Sequence, residues 1–120
     1  MRVVFLNALP LNAFADVSAE WEFRVKFHTL DTLLERISEI RETWRRAGHE
    51  KMECVSYIRH AGTKKALSAL LNGCVENSAY KYTPGDYIFI VTLRQPARGQ
   101  EVEVSVEDLL LAELKILWRA

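Results

Sequence analysis

The stretch Tyr57-Ile58-Arg59-His60-Ala61-Gly62-Thr63-Lys64-Lys65 places a histidine, a glycine and a hydroxyl among three cations where a strand reads as ending and a helix as beginning. Free N–H groups and the positive dipole end make a helix start attractive to anions. Gly62 lets a phosphate approach the backbone closely. Arg59, Thr63 and Lys64 add donors and charge around it. His60 stands at the mouth of this junction and can supply a proton near neutral pH. The same residues also admit a plain structural reading, in which His60 only forms part of the helix cap.

Two further side chains stand at strand ends. Asn7 follows the run Val3-Val4-Phe5-Leu6, and its amide can bind a ligand or close an Asx turn. Arg94 ends the most hydrophobic run in the chain, Tyr87 to Leu93, where it can hold a phosphate or sit as an ordinary surface arginine. Strand ends of one sheet tend to meet on a common rim, so Asn7, His60 and Arg94 share a site if their strands run suitably. The trio contains no carboxylate pair and no Ser-His-Asp order. A cation, a proton donor and a phosphate-binding backbone suit cleavage of an RNA phosphodiester by its own 2′-hydroxyl, without a metal. That reaction needs in-line geometry, charge stabilisation on phosphorus and a proton for the departing 5′-oxygen.

The elements that must position these residues follow from periodicity. Arg2 to Leu6 reads as a strand buried on both faces, ended before Pro10. Phe23, Val25 and Phe27 alternate with Glu22, Arg24, Lys26 and His28, which predicts a strand with one wet face. Leu33, Leu34, Ile37, Ile40 and Trp44 form a helical stripe over Asp31 to Arg46, with Asp31 as cap and Gly48 as stop. Arg41, Arg45 and Arg46 crowd its end; favourable placement at the negative helix terminus accounts for them, aided by pairing of Glu42 with Arg46, and a phosphate patch is the sharper alternative.

Met52 to Ile58 predicts a strand, and Lys64 to Asn72 a helix capped by Thr63 and stopped at Gly73. Tyr80 and Tyr82 read as a strand turning at Pro84-Gly85-Asp86 into Tyr87 to Arg94, a hairpin. Gln95 to Gln100 reads as a loop, and Val102 and Val104 as a short strand. Ser105 to Asp108 resembles a cap before a helix at Leu109-Leu110-Leu111, and Leu114 to Trp118 a last short strand.

These elements make one α+β domain (α/β-like) over residues 1–120, a mixed sheet flanked by helices. The chain of 120 residues is 49% hydrophobic and 27% charged, which excludes a disordered chain. Sixteen Lys and Arg balance sixteen Asp and Glu, an argument against a broad basic face for double-stranded nucleic acid that leaves room for a local anion site. Cys54 and Cys74 are too few for a disulfide framework and read as small buried thiols in a reducing compartment. His28, His49 and His60 lack ligand spacing, so neither a metal nor a cofactor is expected. His28 on a wet strand face and His49 after a helix stop are weaker chemical candidates than His60. Met1 to Ala15 imitates a signal peptide, but Asn7, Pro10 and Asn12 interrupt it. No apolar run reaches membrane-spanning length, so no membrane partner is expected.

The order of motifs resembles the viral ring nucleases, small anti-CRISPR proteins that oppose type III CRISPR immunity. Phe5-Leu6-Asn7-Ala8-Leu9-Pro10-Leu11-Asn12 corresponds to their strand and Asn-Ala element. Arg59-His60-Ala61-Gly62-Thr63 is similar to their Gly-His-x-x-Thr element, Leu71-Asn72-Gly73-Cys74 to their helix end, and Ile90-Val91-Thr92-Leu93-Arg94 to their strand ending in arginine. The resemblance runs best from Ser56 to Glu107. It implies a homodimer in the cytoplasm, the host's if the gene is viral, that binds cyclic tetra-adenylate and cuts it to linear di-adenylate. His60 takes the general-acid role, Arg94 the scissile phosphate, and Asn7, Ala8 and Leu9 line the pocket. Arg59 stands where those proteins carry glycine, Pro10 and Gly62 where they carry serine, and no acidic residue follows Arg94 closely. Arg59 and Lys64 are then the residues to supply compensating phosphate contacts. A two-fold dimer suits such a ring, because each site residue is presented twice.

Two other functions fit the residues less fully. One is a non-catalytic protein that sequesters cyclic oligoadenylate or another signalling anion. The other is a nucleic-acid module built on Arg41, Arg45 and Arg46, which zero net charge disfavours.

Overall fold

A six-stranded mixed sheet forms the body of the molecule, in the order β2-β6-β5-β1-β3-β4. The structure, a computed structural model, describes residues 2–9, 11–15, 20–49, 52–95 and 104–119. The strands are β1 (Arg2–Leu6), β2 (Trp21–His28), β3 (Glu53–Ser56), β4 (Val75–Glu76), β5 (Tyr87–Leu93) and β6 (Leu109–Arg119). The helices are α1 (Leu30–Arg46), α2 (Ala61–Ala66) and α3 (Ser68–Leu71). This is the expected α+β domain. Pro10 and Val102 lie outside the described residues.

β1 is central. It runs parallel to β3 on one side and to β5 on the other, with Phe5 opposite both Ser56 and Phe89. A strand so placed is buried on both faces, and Val3, Val4, Phe5 and Leu6 are each at most 2% exposed. One face packs on α1 through Leu33, Ile37 and Ile40, joined by Ile58 and Leu67. The other face carries no α-helix among the described residues. There the 3-10 turn Leu11–Phe14 inserts Phe14, whose ring meets Trp21, Phe23, Tyr80 and Tyr82 at 5.2–6.3 Å. Further along β2 this cover ends, and Val25 and Phe27 stand 49% and 67% exposed.

The N-cap of α1 lies two residues before the expected Asp31. Thr29 is the N-cap, its hydroxyl accepting the Thr32 N–H at 3.2 Å while the Thr32 hydroxyl takes the Thr29 N–H at 3.0 Å. Two threonines satisfy two end donors reciprocally, so Asp31 is left as a first-turn acid at the positive end of the helix. Gly48, at φ +88°, follows the helix end as expected. Glu42 pairs with both Arg45 and Arg46 at 3.5 Å, in keeping with the helix-end reading of those cations. Arg36 fastens α1 to the sheet with a two-pronged contact to Glu113, 2.6 Å from Nε and 3.1 Å from Nη2. Glu113 is 2% exposed in the middle of an apolar strand, so this arginine compensates a charge that water cannot reach.

Five further expectations are corrected. The helix expected at Leu109–Leu111 is the start of β6. The Ser105–Asp108 capping box exists, but it holds only a 3-10 turn, Val106–Asp108. Leu109 and Leu111 alternate with Leu110 and Ala112 across the sheet, and pairing with both β5 and β2 outweighs a local cap signal. The expected short strand from Leu114 is the second half of the same element. Tyr80 and Tyr82 form no strand and no hairpin with β5, whose neighbours are β1 and β6. Tyr80 instead donates its hydroxyl to Asp86 at 2.7 Å, and Asp86 also accepts from Arg2 Nε at 3.0 Å. Burial and this carboxylate push the Tyr80 phenol well above its usual range. The expected helix over Lys64 to Asn72 is two short helices broken at Leu67, and its cap is His60, not Thr63. Cys54 and Cys74 are joined in a disulfide, not free. They precede the paired residues Val55 and Val75 of adjacent parallel strands, which brings their Cα atoms to 4.7 Å, within bridging range. That bond removes the ground for expecting a reducing compartment.

No helix among the described residues is long and apolar enough to cross a membrane. No group of three or more His, Cys, Asp or Glu among them is placed to hold a metal ion.

His28 closes β2 with Nδ1 at 3.0 Å from the Thr32 hydroxyl and a buried Nε2 that has no partner among the described residues. Desolvation lowers its pKa below the ordinary 6.5. Lys26, Arg36 and Lys115 lower it further, against an opposing pull from Glu113. The unfolded chain therefore takes up this proton more readily than the folded one. The contribution of His28 to stability is complete above about pH 6.5 and is lost as pH falls through the lower folded value. Melting followed by circular dichroism between pH 7.5 and 5 is expected to show a fall in Tm that is smaller in His28→Gln. Equal slopes in the two proteins would remove His28 as its source.

Candidate active site

The site is a consequence of strand direction. Because β1, β3 and β5 run parallel, their C-terminal ends lie on one edge of the sheet. Asn7 leaves β1 there, the segment to His60 leaves β3, and Arg94 leaves β5. This is the condition for a shared rim. Asn7 and Ala8 are exposed in the bend after β1, and Leu9 is 39% exposed. The three are open to a ligand on the same edge as His60 and Arg94.

His60 is exposed and fixed through one nitrogen. Its Nδ1 accepts the Thr63 N–H at 3.2 Å and lies 3.1 Å from the Thr63 hydroxyl. With Nδ1 acting as acceptor, the neutral ring carries its proton on Nε2. When the ring gains a second proton, Nδ1–H can donate to the Thr63 hydroxyl instead. The ring thus keeps a partner in either charge state, and Nε2–H remains the free donor. Thr63 is 3% exposed, so its effect on a ligand runs through His60. The neutral ring caps α2 through Nδ1, and the protonated ring exchanges that bond for one to the Thr63 hydroxyl while Nε2–H stays available as the acid.

Arg94 is held by the loop before β6. Its Nε donates to the Glu107 carbonyl at 3.0 Å, and its backbone N–H to the Asp108 carbonyl at 2.9 Å. Among the described residues the two Nη groups have no partner, and their planar fork suits a phosphate. The same loop touches the histidine turn. A Cβ added at Gly62 would lie 2.9 Å from Val104 Cγ2 and 3.1 Å from His60 Cε1. Gly62 is therefore where the arginine-bearing loop and the histidine turn press together.

Arg59 and Lys64 are exposed or nearly so but locally engaged. Arg59 Nη2 donates to the Ser78 carbonyl at 3.1 Å, and Lys64 pairs with Glu76 at 3.1 Å. Both reach toward the β4 side and line a shallow cavity of about 390 Å³ with Asn77 and Ser78. A phosphate that used them would compete with those contacts. α2 spans only six residues, and His60 occupies its Thr63 N–H, so the helix start is a weaker anion site than the sequence suggested. The participation of Val104 and of the Glu107 carbonyl escapes sequence reasoning, since both lie in a segment read as a strand and a helix cap.

No family model and no curated protein matches the chain. Among solved structures the fold is similar to B116 of Sulfolobus turreted icosahedral virus (STIV), at 15% identity and a TM-score of 0.56, covering 95% of this chain and 98% of that one. The likeness is one of fold across nearly the whole of both chains.

Proposed function

We propose that the protein is a ring nuclease of viral origin that binds cyclic tetra-adenylate as a homodimer and cuts it to linear di-adenylate, opposing type III CRISPR immunity. The carrying observation is the parallel β5-β1-β3 core, which delivers Asn7, His60 and Arg94 to one edge with Nδ1 of His60 already engaged. The motif order in the sequence supplies the ligand class, and a fold shared with a virus protein is in keeping with a viral source.

In the proposed reaction a ribose 2′-hydroxyl of the ring attacks its neighbouring phosphorus. The bond to the 5′-oxygen breaks as a 2′,3′-cyclic phosphate forms. The 2′-hydroxyl loses a proton to the medium, and the departing 5′-oxygen receives one from Nε2 of protonated His60. Arg94 offsets the charge that builds on the phosphorane oxygens. The ring supplies its own nucleophile, so these two groups and correct positioning are enough. Asn7, Ala8 and Leu9 flank the bound nucleotides. In a two-fold dimer each His60 serves one of two opposite linkages, which yields two dinucleotides from one ring.

The test is incubation of the purified protein with cyclic tetra-adenylate in EDTA and separation of the products. Linear di-adenylate is expected. An intact ring at stoichiometric protein removes the enzymatic reading, and tight binding without turnover selects sequestration in its place. Gly62→Ala is a second test. The added methyl must displace Val104 or the His60 ring, and a displacement of this kind is expected to lower the cleavage rate by about 10- to 100-fold. A parent-like rate would show that the Gly62 contact does not position His60.

A further inference from the structure

A second cavity, of about 530 Å³, lies between α1 and α3 over the sheet. It includes the opposite ends of the same strands: Val3 and Cys54, paired in register near the starts of β1 and β3, form part of its wall. None of Asn7, His60 or Arg94 lines it. The volume falls in the range of small-molecule sites.

Its lining combines three features. The floor is apolar, with the almost fully buried Val3 and Phe5. At the C-terminal end of α1 the rings of Trp44 and His49 lie against each other, 4.2 Å apart with a 31° tilt, and form the aromatic wall of the cavity. Arg41 and Arg45, one turn apart, stand beside those rings, and no carboxylate among the described residues lines the cavity. Arg45 shares Glu42 with Arg46 at 3.5 Å, whereas Arg41 has no ion pair among the described residues. Apolar floor, aromatic wall and two guanidinium groups are complementary to one kind of occupant.

We propose that this cavity binds a small organic anion with a flat aromatic body, its ring against Trp44 and His49 and its acidic group on Arg41 and Arg45. The site is separate from the proposed nuclease edge and stands independently of it. Two fluorescent probes test it: 8-anilinonaphthalene-1-sulfonate, and N-phenyl-1-naphthylamine, the same rings without the acid. The sulfonate is expected to bind once per chain. In Arg41→Ala/Arg45→Ala its Kd is expected to rise about tenfold or more, the size of a lost charged hydrogen bond. The uncharged probe is expected to bind the parent at least as weakly as the sulfonate binds that variant. Ser38→Trp, which fills the cavity from an exposed position on α1, is expected to abolish binding, and Phe27→Glu on the exposed end of β2 to leave it unchanged. Equal affinity for the two probes, an unchanged Kd in the arginine variant, or loss of signal in Phe27→Glu would each overturn the proposal. Cleavage of cyclic tetra-adenylate is expected to be unchanged in Arg41→Ala/Arg45→Ala.

Discussion

Replacing His60 with asparagine is expected to lower the rate of cyclic tetra-adenylate cleavage by about 10²- to 10⁴-fold, the range for loss of a positioned proton donor. Asparagine is the informative choice because His60 has two tasks on two nitrogens. Nδ1 caps α2 by accepting the Thr63 N–H, whereas Nε2 is the donor to substrate. Asparagine is a favoured N-cap and keeps the first task while removing the second. Alanine removes both and is expected to cost about 1 kcal/mol of stability as well. The expected pattern is therefore two variants with equally poor turnover, of which only His60→Ala melts early. Affinity for the ring, measured by calorimetry, should change little in His60→Asn, because the role proposed for Nε2 belongs to the transition state. Parent-like cleavage by His60→Asn would reduce His60 to a cap.

The second large effect is on stability. Opening the Cys54–Cys74 bond, by reductant or by Cys54→Ser/Cys74→Ser, is expected to cost about 3 kcal/mol from the chain entropy of a loop of this length. The two cysteines are 20 positions apart. For a domain of this size the loss corresponds to a fall in Tm of roughly 10 °C. The bond secures an edge that has little else. β4 is two residues long and exposed, and it joins β3 through only two register pairs. The segment that follows holds Arg59 through the Ser78 carbonyl, and Glu76 holds Lys64. Reduction is expected to loosen both cations together with β4, so hydrogen exchange should rise first between Val75 and Ser78. Thiol titration confirms that the bond is open. An unchanged Tm with two titrated thiols would show that the bond contributes nothing to folding.

How much was legible before the structure varies with the range of the interaction. The stripe Leu33, Ile37, Ile40 placed α1 to within one residue, because a helix makes its hydrogen bonds within itself. The run Val3 to Leu6 identified the central strand, since burial on both faces leaves no polar position. Asn7 and Arg94 follow directly on strand ends, as their sequence context predicts, and Gly48 follows the helix end. The errors lie where a local signal met a distant partner. Ser105 and Asp108 do form their capping box, yet the chain continues as a strand because Leu109 pairs with Leu93 of β5 and, from Leu111 onward, β2 joins on the other side. Tyr80 and Tyr82 have a strand-like sequence, but Asp86 and Phe14 draw them over the sheet as a cover. Thr63 has the right type for a cap, and His60 takes the position through a nitrogen that capping preferences rarely anticipate.

By itself, then, the sequence determined the size and class of the domain, the elements whose hydrogen bonds are local or whose faces are uniformly buried, and the residue types at the ends of the strands. Tertiary structure alone decided that β1, β3 and β5 are parallel neighbours, and hence that Asn7, His60 and Arg94 share an edge. It also decided that Cys54 and Cys74 are bonded, that Val104 presses on the histidine turn, and that a cationic, aromatic-walled cavity opens across the other ends of the strands. The reason is physical. Periodicity records which face of an element is buried, but the partner that buries it is chosen by packing of the whole chain.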